Sequence, residues 1–175
     1  MNYFDELTKA MTLLSKQDNS IFLGQSVEYP GTAVYNIVKH LPTDKRWEMP
    51  VTENMQLGMS IGLSLQGYLP ISIFPRINFL WSVADQLVNH LDKLHIMSQG
   101  EYYPKVIVRT SIGSTVPLDP QEQHKHDTSE ALDMLLPHTT LVRLDSTKDI
   151  VPQYQKAIDR NGSTILVEWA DKYGE

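Results

Sequence analysis

Along the chain, apolar positions switch repeatedly between a spacing of three to four and short unbroken runs. Tyr3, Leu7, Ala10 or Met11, and Leu14 follow the helical spacing and stop before QDNS, where SIFLG (20–24) reads as a strand. After the turn residues YPG, the positions Val34, Ile37, Val38 and Leu41 predict a short helix that Pro42 closes, and RWEMPV predicts a short strand. Glu53 to Leu65 predicts a helix with Gly67 where a C-terminal cap belongs, and LPISIF (69–74) a buried strand. The longest periodic segment, Phe79 to Met97, sets Leu80, Val83, Ala84, Leu87, Val88, Leu91 and Leu94 on one broad face and predicts a single long helix. KVIVRTS (105–111) is a β-branched strand, and IGSTVPLDPQEQHKHDTS after it follows neither period, as a functional loop does. A helix from about Ser129, the strand TTLVRL (139–144), a helix from about Lys148 to Asp159 and the strand STILVEW (163–169) complete the pattern.

Strands alternating with helices predict an α/β three-layer sandwich, a mostly parallel central sheet flanked by helices on both faces, with residues 1–175 forming one domain. Sites in such sheets lie beyond the carboxyl ends of the strands. Three segments therefore stand out: the turn after SIFLG with Gln25, the TEN turn after RWEMP, and the loop after KVIVRTS that carries His124 and His126.

Composition narrows the function classes. At 175 residues and 41% hydrophobic content, the chain can bury a core of its own. Its 15 basic and 21 acidic residues give a net charge of -6 with no Lys/Arg cluster, which argues against nucleic acid as a partner. The absence of cysteine removes disulfides, zinc thiolate sites and iron–sulfur clusters. Asp5, Glu6 and Lys9 interrupt the first apolar positions, unlike a signal peptide, and no run of about 18 apolar residues follows. A cytoplasmic protein that does not enter a membrane is the expectation. GxGxxG, GxxxxGK[ST] and GxSxG motifs are all absent.

Glu53 is the most informative acid, because it opens a helix with no charged residue from Asn54 to Gly67. A first-turn acid is ordinarily stabilised by the helix dipole, by about 0.3–1 kcal/mol. A merely dipolar acid needs only a solvated first turn, whereas this helix is expected to be covered on nearly all sides. A carboxyl at its mouth loses solvation and becomes suited to sharing a proton with a ligand. His124 and His126 alternate as two ligands on a strand would, with Asp127 as a third, but loop histidines beside Asp119, Glu122 and Asp127 are ordinarily solvated. An acid–base or substrate-binding histidine is the better functional reading, and no metal site is expected on this chain. Phe79 and Trp81 are core packing by default.

The ordered series GQSVEYPG, PVTENMQLGMSIGLSLQGYLP, ADQLVNHLDKLHIMSQG, KVIVRTSIG, QHKHDTSEALD and LVRLDSTKD resembles the pyrimidine-binding domain of thiamine diphosphate enzymes, from about Ile21 to Glu168. More narrowly it is similar to the first domain of the beta subunit of pyruvate-type 2-oxo-acid dehydrogenases, and more distantly to the central domain of transketolase. Pro50, Val51, Thr52, Glu53, Gly58, Ser60 and Gly62 meet the family motif. The resemblance implies that Glu53 hydrogen-bonds the aminopyrimidine ring of thiamine diphosphate and favours the tautomer that can take the thiazolium proton. A dry wall of Met55, Leu57, Met59 and Ile61 would strengthen that contact. The aromatic residue that packs on the pyrimidine falls on Phe79, with Ile77 beside it and Asn78 and Asp85-Gln86 at matching offsets, and Gln25 joins the cofactor-binding set. The family histidine that reaches the substrate lies in a QHSQ-type segment. Here QHKHDTSEAL puts Lys125 at that place without gaps and His124 or His126 after a shift of one. His124 is preferred because Gln123 precedes it.

No GDG motif, by which the family holds the diphosphate and its metal, occurs here, and the chain stops soon after VEW, where a dehydrogenase beta subunit continues into a further domain. The resemblance thus implies a split enzyme. A separate diphosphate-binding, alpha-type subunit would supply the Mg2+, in an α2β2 hetero-oligomer acting on a 2-oxo acid or a ketose. The apolar helices beginning at Glu53 and Phe79 would be its docking surface. The alternatives are a non-catalytic module that keeps the fold, and a metal hydrolase built on His124, His126 and Asp127.

Overall fold

The computed structural model describes residues 2–116 and 119–174; Met1, Glu175, and Pro117 and Leu118 inside the polar stretch expected to be a functional loop, lie outside the described residues. Six strands, β1 (Ser20–Gly24), β2 (Arg46–Glu48), β3 (Leu69–Ile73), β4 (Ile107–Ile112), β5 (Thr140–Arg143) and β6 (Thr164–Trp169), make one sheet in the order β2-β1-β3-β4-β6-β5. Every neighbouring pair is parallel. The expected mostly parallel sheet is therefore parallel throughout. Six α-helices accompany the strands: α1 (Tyr3–Ser15), α2 (Ala33–Val38), α3 (Glu53–Leu65), α4 (Leu94–Met97), α5 (Ser129–Leu135) and α6 (Ile150–Asp159).

Side chains alternate across a strand, and here they feed two separate cores. Ile107 and Leu166 point to one, with Leu7 and Met11 of α1 and Tyr154 of α6. Val108, Ile165 and Val167 point to the other, with Leu57 of α3, Leu80, Leu87, and Leu132 of α5. The helices over these cores are the outer layers of a three-layer sandwich, and they leave the carboxyl ends of β1, β3 and β4 together at one rim.

The single long helix expected over Phe79–Met97 is not formed. A 3₁₀ run over Ile77–Val83, a π-helical stretch over Gln86–Leu91 and the short α4 take its place. Leu80, Val83, Leu87 and Leu91 are buried as their spacing implied. Asp92, also buried, turns its Oδ1 to the backbone N–H groups of His138 and Thr139, at 2.9 and 2.8 Å.

An ion pair lies between β4 and β6. Arg109 donates through Nε and Nη2 to the two Glu168 carboxylate oxygens, at 2.6 and 2.8 Å, and Tyr154 Oη donates to Glu168 Oε1 at 2.9 Å. Burial pushes the Tyr154 phenol well above its ordinary value, and the Glu168 carboxylate adds to the shift. Above about pH 10 the unfolded chain therefore releases a proton that the folded chain retains, so stability falls as pH rises from there. The urea midpoint should drop above about pH 10, and less steeply in Tyr154→Phe. Equal alkaline slopes for the two proteins would contradict this role for Tyr154.

Candidate functional site

The site is built at the rim where β1 and β3 end. A Cβ on Gly24 would sit 2.6 Å from the Ile73 carbonyl oxygen, so only glycine lets the two strand ends run this close. Gln25 follows directly. The loop behind it is fastened by short β2: Glu48 accepts the backbone N–H groups of Ser26, Val27 and Glu28 at 2.6, 2.8 and 2.9 Å. Arg46 Nη1 donates to the Val27 carbonyl at 2.8 Å. Charged residues at both ends of a three-residue strand thereby fix the neighbourhood of Gln25.

Met49 N–H donates to the Gly24 carbonyl at 2.9 Å, and the chain then turns through Pro50 into α3, whose first residue is Glu53. One turn on, the fully buried Gln56 donates from Nε2 to Ser72 Oγ and the Ile73 carbonyl, at 3.1 and 3.0 Å. These bonds anchor the first turn of α3 to the end of β3. In the resulting geometry Gln25 Nε2 donates to Glu53 Oε1 at 3.1 Å, in a partly buried setting. No other side-chain hydrogen bond among the described residues engages this carboxylate, which leaves Oε2 free to accept.

A second pair forms on the far side of β3. Ile77, Leu80 and Val83 bury their side chains and leave Phe79 half-buried between them in sequence. The Phe79 ring lies 5.1 Å from the His124 ring, at an interplanar angle of 37°. His124 reaches this position because Arg76 Nη1 donates to the carbonyls of Gly113 and His124, at 2.6 and 3.3 Å. His124 Nδ1 is buried without a partner, as is Asn78 Oδ1. Gln86 Nε2 donates to Asn54 Oδ1 at 3.4 Å, tying the segment that carries Phe79 to the first turn of α3.

The neighbours of His124 point elsewhere. Lys125 Nζ and His126 Nε2 both meet Glu122, at 2.7 and 2.8 Å, and their hydrogen bonds hold its carboxyl below the usual carboxylate range. Asp127 is occupied with the N–H and Oγ of Ser129 and with Arg143. Among the described residues, no group of three or more His, Asp or Glu is arranged to hold a metal ion. No helix among them is long and apolar enough to cross a membrane.

Two expectations about these elements are corrected. The helix opened by Glu53 is not covered on nearly all sides, because Met55 and Met59 are 46% and 37% exposed, below Val51 at 76%. Its supposed wall divides: Leu57 and Ile61 belong to the chain's own core, while Met55 and Met59 face outward. The Ile77 side chain is fully buried, so a ligand would meet its backbone. Sequence reasoning passed over Arg76, Glu48 and Gln56. A signal was present for two of them, since Arg76 sits just beyond a strand's carboxyl end and Gln56 is a lone amide on the buried face of α3.

No family model matches the sequence. The beta subunit of the mitochondrial pyruvate dehydrogenase E1 component of Ascaris suum is 32% identical over 129 residues, 70% of this chain and 35% of that subunit. The corresponding subunit from Gracilaria tenuistipitata var. liui is 26% identical over 170 residues, 94% of this chain and 51% of the relative. The chain thus spans about a third to a half of the length of these curated relatives. Among solved structures, a split gene transketolase in the form of an inactive beta4 tetramer superposes with a TM-score of 0.73 and 15% identity, over 97% of this chain and 51% of that one. A thiamine diphosphate-dependent 4-hydroxybenzoylformate decarboxylase from Rhodococcus jostii RHA1 gives 0.67 and 13%, over 99% and 31%.

Proposed function

Because the chain is similar in sequence to pyruvate dehydrogenase E1 beta subunits and has a transketolase-type fold, we propose that it is the pyrimidine-binding subunit of a thiamine diphosphate-dependent enzyme. Its substrate is a 2-oxo acid or a ketose, and a separate alpha-type subunit holds the diphosphate and its Mg2+, in an α2β2 assembly. The observation that carries the proposal is the Gln25–Glu53 pair, a carboxylate aimed by one amide with an oxygen left over.

The residues fit a flat, nitrogen-bearing ring. Glu53 offers a free acceptor, Phe79 a half-buried face, and His124 an unpartnered ring nitrogen beside that face. When bound, thiamine diphosphate supplies a centre that adds to a carbonyl carbon and stores the electrons released on bond cleavage. Glu53 holds a proton at a ring nitrogen through Oε2, while Gln25 keeps Oε1 occupied and the carboxylate in one orientation. Phe79 orients the ring by packing, and His124 donates or accepts a proton on the substrate side.

The outward face of α3 explains why a second chain belongs to this reading. Val51, Met55 and Met59 form an uncharged exposed strip, and the Cβ position of Gly62 has nothing within 4 Å. Exposed apolar strips of this kind mark interaction surfaces, and at Gly62 a close approach would have to come from outside. Once covered, the strip excludes water from Glu53 and strengthens its hydrogen bonds. A split gene transketolase that shares the fold is inactive as a beta4 tetramer, which is consistent with this reading. Isothermal titration of the chain alone with thiamine diphosphate and Mg2+ should show no tight binding, and adding the cognate alpha-type chain should restore it. Tight metal-dependent binding by the isolated chain would overturn the two-chain reading.

A further inference from the structure

Arg76 does more than hold a loop. Both of its side-chain hydrogen bonds use Nη1, and among the described residues it takes part in no ion pair. A half-buried guanidinium with Nε and Nη2 uncommitted is a strong donor array in want of a counter-charge. It borders a cavity of about 170 Å³, whose wall includes the hydroxyl residues Thr32, Ser111 and Ser114 together with Gly113 and Tyr173. Adjoining it is a space of about 10 Å³ beside Arg109 and Thr110, whose Nη1 and Oγ1 are buried and unpartnered. The Ser111 and Tyr173 hydroxyls are donated to the Pro75 carbonyl and to Glu168, so the positive charge, the hydroxyls of Thr32 and Ser114 and the orphaned N–H and O–H groups are what meet at the carboxyl ends of β3 and β4, where α/β sheets place their ligands. The nearby acids are Glu168, which lines the smaller space and is paired with Arg109, and Asp171, whose Oδ1 is committed to the N–H and Oγ1 of Thr115. None of Gln25, Glu53, Phe79 or His124 lines this cavity.

We infer that the Arg76 cavity binds a small oxyanion, a carboxylate or a phosphate, and that its occupancy is transmitted to His124 through the guanidinium they share. The cavity is smaller than the roughly 300–1,000 Å³ typical of larger ligands, which sets the size class. Selection of an anion follows from the uncompensated charge, and the hydroxyls supply directional bonds. An anion gripping Nε and Nη2 fixes the plane of the guanidinium, and with it the direction in which Nη1 holds the His124 carbonyl. The binding site itself does not depend on thiamine diphosphate chemistry; only the consequence for turnover rests on the function proposed above.

The test is a titration of the isotopically labelled full chain, followed by NMR, with sodium phosphate and with sodium acetate at ionic strength held constant by chloride. Saturable shifts of the Gly113 and Ser114 amides are expected, accompanied by movement of the His124 ring signals and not those of His126. The acid that gives the tighter saturation identifies the class. Arg76→Gln should bind at least about tenfold more weakly, because a charge-assisted contact is lost. Arg76→Lys, which keeps the charge, should fall between. Circular dichroism and the unfolding midpoint establish that each variant is folded. Shifts that never saturate, that chloride reproduces, or that persist unchanged in Arg76→Gln would overturn the site. Saturable binding that leaves His124 unmoved would overturn the coupling.

Discussion

Glu53→Gln in the assembled two-chain enzyme is expected to lower kcat by about 10²- to 10⁴-fold, the range over which a positioned acid–base group acts. The substitution is nearly isosteric, and its amide oxygen can still accept from Gln25 Nε2, which donates to Glu53 Oε1 in the wild-type chain. What it cannot do is hold and return a proton at the remaining position. The loss should therefore appear in kcat, with the unfolding midpoint and the assembly with the partner unchanged. Steady-state turnover with the cognate alpha-type chain measures it. Turnover within about twofold of wild type, far below the acid–base range, would leave only a non-catalytic module that keeps the fold. Gln25→Ala should act in the same direction and less severely, because it frees the carboxylate to rotate without removing it.

The largest expected effect on stability comes from the ion pair between β4 and β6. Arg109 and Glu168 are 2% and 1% exposed. Burial alone would push the guanidinium down, and the Glu168 carboxylate outweighs it and holds Arg109 charged. Glu168→Gln leaves that charge without its counter-ion and should cost about 3–5 kcal/mol. At about 2–4 °C per kcal/mol for a domain of this size, the thermal midpoint should fall by roughly 6–20 °C. The double variant Arg109→Met/Glu168→Leu removes both charges and should recover part of the loss, since replacing a buried pair by apolar groups is often neutral while the Tyr154 and Tyr173 hydroxyls still lose their acceptor. Scanning calorimetry of the three proteins distinguishes these cases. A Glu168→Gln protein that melts within a degree or so of wild type, less than about 1 kcal/mol implies, would mean that the charge is neutralised some other way.

The sequence disclosed the layers well and the ladders less well. Leu80, Val83, Leu87 and Leu91 were legible as an inward face because their spacing reports burial, and they are buried. Spacing does not report which carbonyl each N–H finds, so 3₁₀ and π-helical segments read as one long α-helix. The absence of charge on α3 was legible for the same reason. It could not say whether the covering surface belongs to this chain, as for Leu57, or is left outward, as for Met55. At the site, Glu53 stood out because an acid before a charge-free helix is unusual. Where His124, Lys125 and His126 each point was not legible, because the Arg76 contact is remote in sequence and the local Glu122 contacts belong to a segment with neither helical nor strand spacing. Arg76 draws one carbonyl inward, and Glu122 draws the two neighbouring side chains outward. Glu48 escaped notice because its work is done by three backbone groups, which leave no mark in side-chain patterning.

The uncovered strip along Val51, Met55 and Met59 has a consequence for how the cell must make this protein. On the two-chain reading proposed above, a copy made without its companion would keep this apolar strip in water, where it favours association with other copies. On the same reading, matched synthesis of the two polypeptides would keep the pool of orphan chains small.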